Sequence, residues 1–251
     1  MTYIGKEPTP VPLVTADLTD DIVTLAKLAS GTDGNLITYD ASGNPAAVAT
    51  GSSGQVLTSA GAGAVPTFSD AGGGGLVHIK TQTASGSSSV DFAHGTGGVI
   101  IDSTYDKYLF SCDYKPANDN VTPQLFISTD AGSSFITANY VYAMDGMEAG
   151  GSTVTRQSGS DSQIELSPDT QGGASDEMMS INIYLSMPSR ASTHKLFTFV
   201  GTTMDAASNL TPYSGGGACT GSTAAVDGVR FKFSAGNIEY GTFTLFGVSK
   251  G

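Results

Sequence analysis

The chain of 251 residues carries 11 Lys and Arg against 23 Asp and Glu, a net charge of −12, which argues against a binder of phosphate backbones because that needs clustered cations. Its 2 Cys exclude a disulfide scaffold and a cysteine-only zinc site, and no apolar run reaches the ~20 residues of a membrane span. Charged residues make up 14% and hydrophobic residues 39%, so the polar surface comes from Ser, Thr, Asn and Gly, as expected of a soluble, β-rich protein.

The start, Met1-Thr2-Tyr3-Ile4-Gly5-Lys6-Glu7-Pro8, lacks the apolar stretch of a signal peptide, and export is not expected. Pro8, Pro10 and Pro12 keep the next residues extended. A short helix is predicted from Thr19 or Asp20, which cap it, to Gly31, which ends it. Leu18, Ile22, Leu25 and Ala29 form its apolar stripe at helical spacing. A helix of about ten residues with one apolar face is unstable alone. Self-association or docking on another protein is therefore expected of it.

Residues 31–71 alternate turns with short strands: Leu36-Ile37-Thr38-Tyr39, Gln55-Val56-Leu57-Thr58 and Val65-Pro66-Thr67-Phe68. Strands this short bury too little area in one chain, and intertwining of identical chains would supply the rest. Gly72-Gly73-Gly74-Gly75 reads as a hinge, since four glycines offer no side chain for packing. Tyr3, Tyr39 and Phe68 are the only Phe or Tyr before it; the other 18 of the 21 follow.

Beyond the hinge, 76–251 shows the period-2 pattern of half-buried strands. Tyr108, Phe110, Cys112 and Tyr114 share one face; Ile181, Ile183 and Leu185 another; Val229, Phe231 and Phe233 a third, alternating with Arg230 and Lys232. Further strands are predicted at 76–83, 98–101, 123–129, 135–143, 162–166, 194–200 and 238–249. The fold class is all-β: a C-terminal jelly-roll-like β-sandwich after an extended N-terminal segment with one short helix.

Chemistry is sparse. His78, His94 and His194 are dispersed and form no metal-binding spacing, and no G-x-S-x-G elbow or P-loop exists. Gly61-Ala62-Gly63 meets Pro66 where a dinucleotide loop needs Gly. Paired carboxylates for glycan hydrolysis would be Asp145 with Glu148, or Asp176 with Glu177, and both pairs read better as solvated charge. Asp113, Asn118, Asp119 and Asn120 offer calcium-ligating oxygens but read first as turn formers. No enzyme, cofactor or metal is expected.

Residues 32–40, Gly51-Ser52-Ser53-Gly54-Gln55-Val56-Leu57-Thr58 and Val65-Pro66-Thr67-Phe68 resemble a segment of bacteriophage tail-fibre and other virion fibre proteins. Ile22-Val23-Thr24-Leu25-Ala26-Lys27-Leu28-Ala29 resembles the element that often precedes it, and Tyr3-Ile4-Gly5 is similar to the start of such fibres. Tyr105-Asp106-Lys107-Tyr108-Leu109-Phe110, 116–120, 125–135 and Gly241-Thr242-Phe243-Thr244-Leu245-Phe246-Gly247-Val248 look like a distal β-domain of these fibres. Residues 136–236 carry no such match.

The resemblance implies a homotrimer assembled in the host cytoplasm into the virion. Residues 1–30 would attach to another virion protein, 31–71 would form a shaft-like segment, and 76–251 would display a tip to a host surface glycan or protein. Assembly in a reducing cytosol implies free thiols at Cys112 and Cys219. A tail fibre is the expected role. The alternatives are a head fibre, decoration or neck appendage protein, and then a polysaccharide depolymerase.

Recognition is expected in Gly/Ser-rich loops at 144–161, 167–177 and 202–224, with Tyr213, Asn209, Asp145 and Glu148 as receptor contacts. Trp is absent, so Tyr would have to stack on a sugar; Tyr140 and Tyr142, which share a strand face with Met144, read as core or subunit interface.

Overall fold

The computed structural model describes residues 12, 14, 31–70 and 75–249, and all regular structure among them is β-strand. The chain divides into two compact units, Met1–Gly72 and Gly73–Gly251. The expected helix, with Leu18, Ile22, Leu25 and Ala29, lies outside the described residues, as do Gly72, Gly73 and Gly74.

In the first unit, β1 (Leu36–Tyr39) pairs antiparallel with β2 (Pro45–Val48), and β3 (Gln55–Thr58) with β4 (Thr67–Asp70). Asp40 closes the first hairpin: its Oδ1 accepts the backbone N–H groups of Ser42 at 2.8 Å and Asn44 at 2.9 Å, while Gly43 takes the left-handed φ of 79° that the turn requires. Phe68 packs on Gly51, where a Cβ would clash with its ring. Val48 is buried, but Ile37 is 70% exposed and Tyr39, Val56 and Leu57 are open as well. The strands pair within one chain, yet their apolar side chains remain largely uncovered.

Among its described residues the second unit holds twelve strands: β5 (Leu76–Ser87), β6 (Val90–Ala93), β7 (Lys107–Pro116), β8 (Pro123–Ser128), β9 (Tyr140–Met147), β10 (Thr153–Asp161), β11 (Ile164–Glu165), β12 (Met179–Ser186), β13 (Leu196–Met204), β14 (Leu210–Cys219), β15 (Gly228–Phe233) and β16 (Ile238–Val248). They form an eight-stranded sheet, β10-β9-β14-β13-β12-β7-β16-β5, and a four-stranded sheet, β11-β8-β15-β6. All pairings are antiparallel.

The alternation in sequence explains the layers. Met179, Ile181, Ile183 and Leu185 of β12 are buried while Ser180 and Asn182 are exposed, so one face enters the core. Phe110, Tyr114 and Phe243 of the large sheet meet Phe92, Phe231 and Phe233 of the small one, with Phe92–Phe110 centroids 5.4 Å apart and Tyr114–Phe233 5.2 Å apart. Each such Phe ring contributes roughly 1.5–3 kcal/mol by burial. The result is an all-β, sandwich-like unit.

Two hairpins, β9–β10 and β13–β14, widen the large sheet beyond β12. Without them the strands fall as β5-β16-β7-β12 and β6-β15-β8-β11. Consecutive strands β5/β6, β7/β8, β11/β12 and β15/β16 then lie in opposite sheets.

These hairpins correct the sequence reading. The span 202–224 was expected as a loop because of Gly215, Gly216 and Gly217, but it contains β14, paired on both sides with β13 and β9. Close approach explains the glycines: a Cβ on Gly215 would press on Met144 and lie 2.8 Å from both Ala143 O and Phe199 Cε2. The span 144–161 likewise contains the end of β9 and all of β10. The strand expected over 135–143 begins only at Tyr140, and 98–101 is irregular, although Val99 and Ile101 still enter the core.

Candidate functional site

Three connections meet at one end of the second unit, and each supplies a carboxylate. β9 ends in a turn at Glu148, whose N–H donates to Ser152 O at 2.8 Å, with Gly151 at φ 91°. The segment from Ser167 to Met178 is tied to Val121 by the Gln171 bridge and carries Asp169. The β13–β14 turn carries Asp205, whose Oδ1 accepts the N–H groups of Ala207 at 2.9 Å and Asn209 at 2.8 Å.

Ligand atoms of Glu148, Asp169 and Asp205 all lie within 4.8 Å of one another, the one such group among the described residues. Three carboxylates are hard oxygen donors of the kind divalent cations take. Burial pushes the Asp205 carboxyl upward, but the Asn209 backbone and side-chain donors and the Ala207 N–H outweigh it, so its pKa is lowered. Thr211, wholly buried and paired in register with Thr203, has an Oγ1 with no hydrogen-bond partner.

Of the expected receptor contacts, Glu148 and Asn209 come to this end of the unit, Asn209 by donating its Nδ2 to Asp205 at 3.0 Å. Asp145 stands on the outer face of the large sheet, opposite Ser214 and Thr155, in a cleft of about 450 Å³ with Met147, Val200, Thr202 and Pro212. Tyr213 corrects the reading that placed it in a loop. It lies in β14, 4% exposed, in the core cluster, and its ring offers no surface to a ligand. Burial also raises its hydroxyl pKa.

The carboxylate pairs separate. Asp145 lies on the outer face and Glu148 at the end cluster; Asp176 is exposed while Glu177 is buried, accepting from Ala174 N at 2.7 Å. Asp113 projects from β7, whereas Asp119 accepts from Gly173 N at 2.6 Å, so the expected calcium set is divided between a strand and a loop pin. His78 bonds Thr81, His94 accepts from Ile101 N, and His194 meets Ser222 O. Cys112 and Cys219 are both buried, unbridged thiols.

Sequence reasoning missed a pocket on the outer face of the small sheet. Phe126, Phe135, Thr137, Arg230 and Lys232 line a cavity of about 210 Å³. The signal present was the alternation Arg230-Phe231-Lys232, which puts both cations on one face; the arrival of Phe135 depends on how residues 129–139 fold. A second missed feature is an apolar cleft of about 500 Å³ on the large sheet's outer face, where Val141, Ala143, Leu196, Thr198, Gly216 and Ala218 meet.

Comparison of the chain with protein-family models, with curated proteins and with solved structures finds no match.

Proposed function

We propose that the chain is a non-enzymatic bacteriophage virion fibre protein, a homotrimer, most consistent with a tail fibre whose C-terminal unit contacts the host cell surface. The observation that carries this reading is the pairing of one well-packed β unit with two hairpins whose apolar side chains are left open. A self-sufficient monomer has no use for such hairpins; a fibre shaft made of several chains does. The resemblance of residues 32–68 to fibre segments supports the same assignment.

The strand order supports a jelly roll as the finer fold, with two added hairpins that widen one sheet. Leu196, which lines the Gly216 cleft, and Val200, which lines the Asp145 cleft, are both more than half exposed on β13 and supply an apolar face for packing against further copies. Connections such as 148–152 and 205–209 sit at the strand ends, where recognition is carried on a rigid scaffold.

The test is positional and functional. Antibody raised against the C-terminal unit should label tail tips in electron micrographs, and excess soluble protein should lower adsorption of the particles to host cells. Label on the capsid, with adsorption unaffected, would replace this reading by a head fibre, decoration or neck appendage protein.

A further inference from the structure

The pocket on the small sheet is built by register. Arg230 of β15 stands opposite Phe126 of β8 and opposite Asp91 of β6, and Lys232 follows two residues on, on the same outer face. The chain after β8 returns over this face. Asp130 holds the return, accepting from Ser134 N at 2.9 Å and from Ser134 Oγ at 2.6 Å. Ile136 N then donates to Ile127 O, and the buried Tyr140 hydroxyl donates to Ile136 O. Phe135 and Thr137 are thereby fixed beside Phe126.

Its charges are incompletely matched. Asp91 takes Nε of Arg230 at 2.7 Å and Nη2 at 2.6 Å, which leaves Nη1 uncommitted among the described residues. The guanidinium lies over the Phe135 ring, 3.9 Å from its centroid. Lys232, half-buried, makes no ion pair or hydrogen bond among the described residues. Glu165, opposite Gln124, is already paired with Arg156 at 2.5 Å, and the Asp130 carboxylate is taken by Ser134. Arg230 and Lys232 against Asp91 leave one net positive charge, on a chain of −12. Local cationic character against the global sign, beside two aromatic rings, suits an anion carried on a ring with an apolar face.

We infer that this pocket binds the carboxylate of a single acidic sugar residue, a hexuronic acid unit of a glycan. The carboxylate meets Lys232 Nζ and Arg230 Nη1, and the C–H face of the sugar lies against the half-buried Phe135, the buried Phe126 lining the same pocket. The 210 Å³ cavity is smaller than the ~300 Å³ at which drug-sized sites begin, so it takes one ring and not an oligosaccharide. A bare phosphate would leave the rings without a contact. The inference rests on the host-surface reading for its biological setting but not for the binding itself.

The experiment titrates the full-length protein with methyl glucuronide, methyl glucoside and inorganic phosphate, following ligand resonances by NMR. Glucuronide should bind, glucoside should bind about tenfold more weakly or not at all, and Lys232→Met should weaken glucuronide by about tenfold with the thermal melt unchanged. Phe135→Ala, which leaves the Arg230–Asp91 pair in place, should weaken it as well. Equal binding of glucoside, phosphate binding as tightly as glucuronide, or full binding by Lys232→Met would each overturn the inference. The two readings fail separately. No glucuronide binding while soluble protein still blocks adsorption sinks the pocket alone, whereas lost glucuronide binding in Lys232→Met particles that adsorb normally removes the pocket from host contact.

Discussion

Gly215 shows how one missing side chain shapes the second unit. Its neighbours at the site of a Cβ are Met144, the Ala143 carbonyl and the Phe199 ring, so neither adjacent strand can yield without moving backbone or core. Gly215→Ala should therefore lower the unfolding free energy by about 1–3 kcal/mol, read as a shift of the denaturant midpoint. Gly159, with nothing within 4 Å and no left-handed φ, is the control, and Gly159→Ala should shift the midpoint little. Asp130 gives the matching electrostatic case. Hydrogen bonds from the Ser134 side chain and backbone, then from the Ser128 side chain, lower its pKa to about 2. A depressed carboxyl contributes stability above its unfolded pKa and loses it as pH falls toward the folded value. The return that carries Phe135 should therefore hold above pH 3.8 and lose this contribution progressively as pH falls from 3.8 to about 2. Titration of the Asp130 carboxyl carbon by NMR checks this, and Ser134→Ala should raise its midpoint toward 3.8.

At the scale of elements, the two sheets are joined along one side by Arg156 of β10, which pairs with Glu165 of β11 and donates its Nε to Pro168 O at 3.3 Å. The pair is mostly buried, with side-chain exposures of 27% and 14%. Arg156→Met should cost about 1.5–3 kcal/mol by denaturation, and a double-mutant cycle with Glu165→Gln should return a favourable coupling. The sequence made the half-buried strands legible: β12 alternates throughout, β7 from Phe110 to Tyr114 and β15 from Val229 to Phe233, so their inward sides are plain from Cys112, Ile181 and Phe231. It hid β14, because glycine signals turns and the close strand approach that demands Gly215 is a tertiary fact. Tyr213 was misplaced for the same reason: in a supposed loop its ring looks available, but in β14 alternation sends it inward. The end cluster was half legible. Glu148 and Asn209 were visible as polar loop residues, while Asp169 joins them only through long-range pairing. Lys232 and Arg230 stand in the sequence only as the residues alternating with Val229, Phe231 and Phe233, since nothing local announces that Phe135 folds across Arg230.

At the scale of the whole molecule the two units differ in what they bury. The second has a continuous core reaching both sheets, whereas the hairpins of the first bury Val48 and leave Ile37, Tyr39, Val56 and Leu57 open. Four-residue strands in two-stranded pairs are marginal at best in water. Copies of the chain covering these side chains would remove that weakness, but a trimer gathers 3 × −12 = −36 charges. Salt decides how far that repulsion reaches, since the Debye length falls from about 30 Å at 0.01 M to about 8 Å at 0.15 M. Association should therefore tighten as salt is added, opposite to an interface held by ion pairs. Sedimentation of the full-length protein should give three chains at physiological salt and partial dissociation on dilution at low salt. Ile37→Asp with Val56→Asp should yield single chains, while the thermal transition of the second unit, whose core contains neither residue, stays where it was. A double variant that still sediments as three chains would show that the hairpins do not hold the assembly together, and the apolar face around Leu196 and Val200 would then be the surface to mutate.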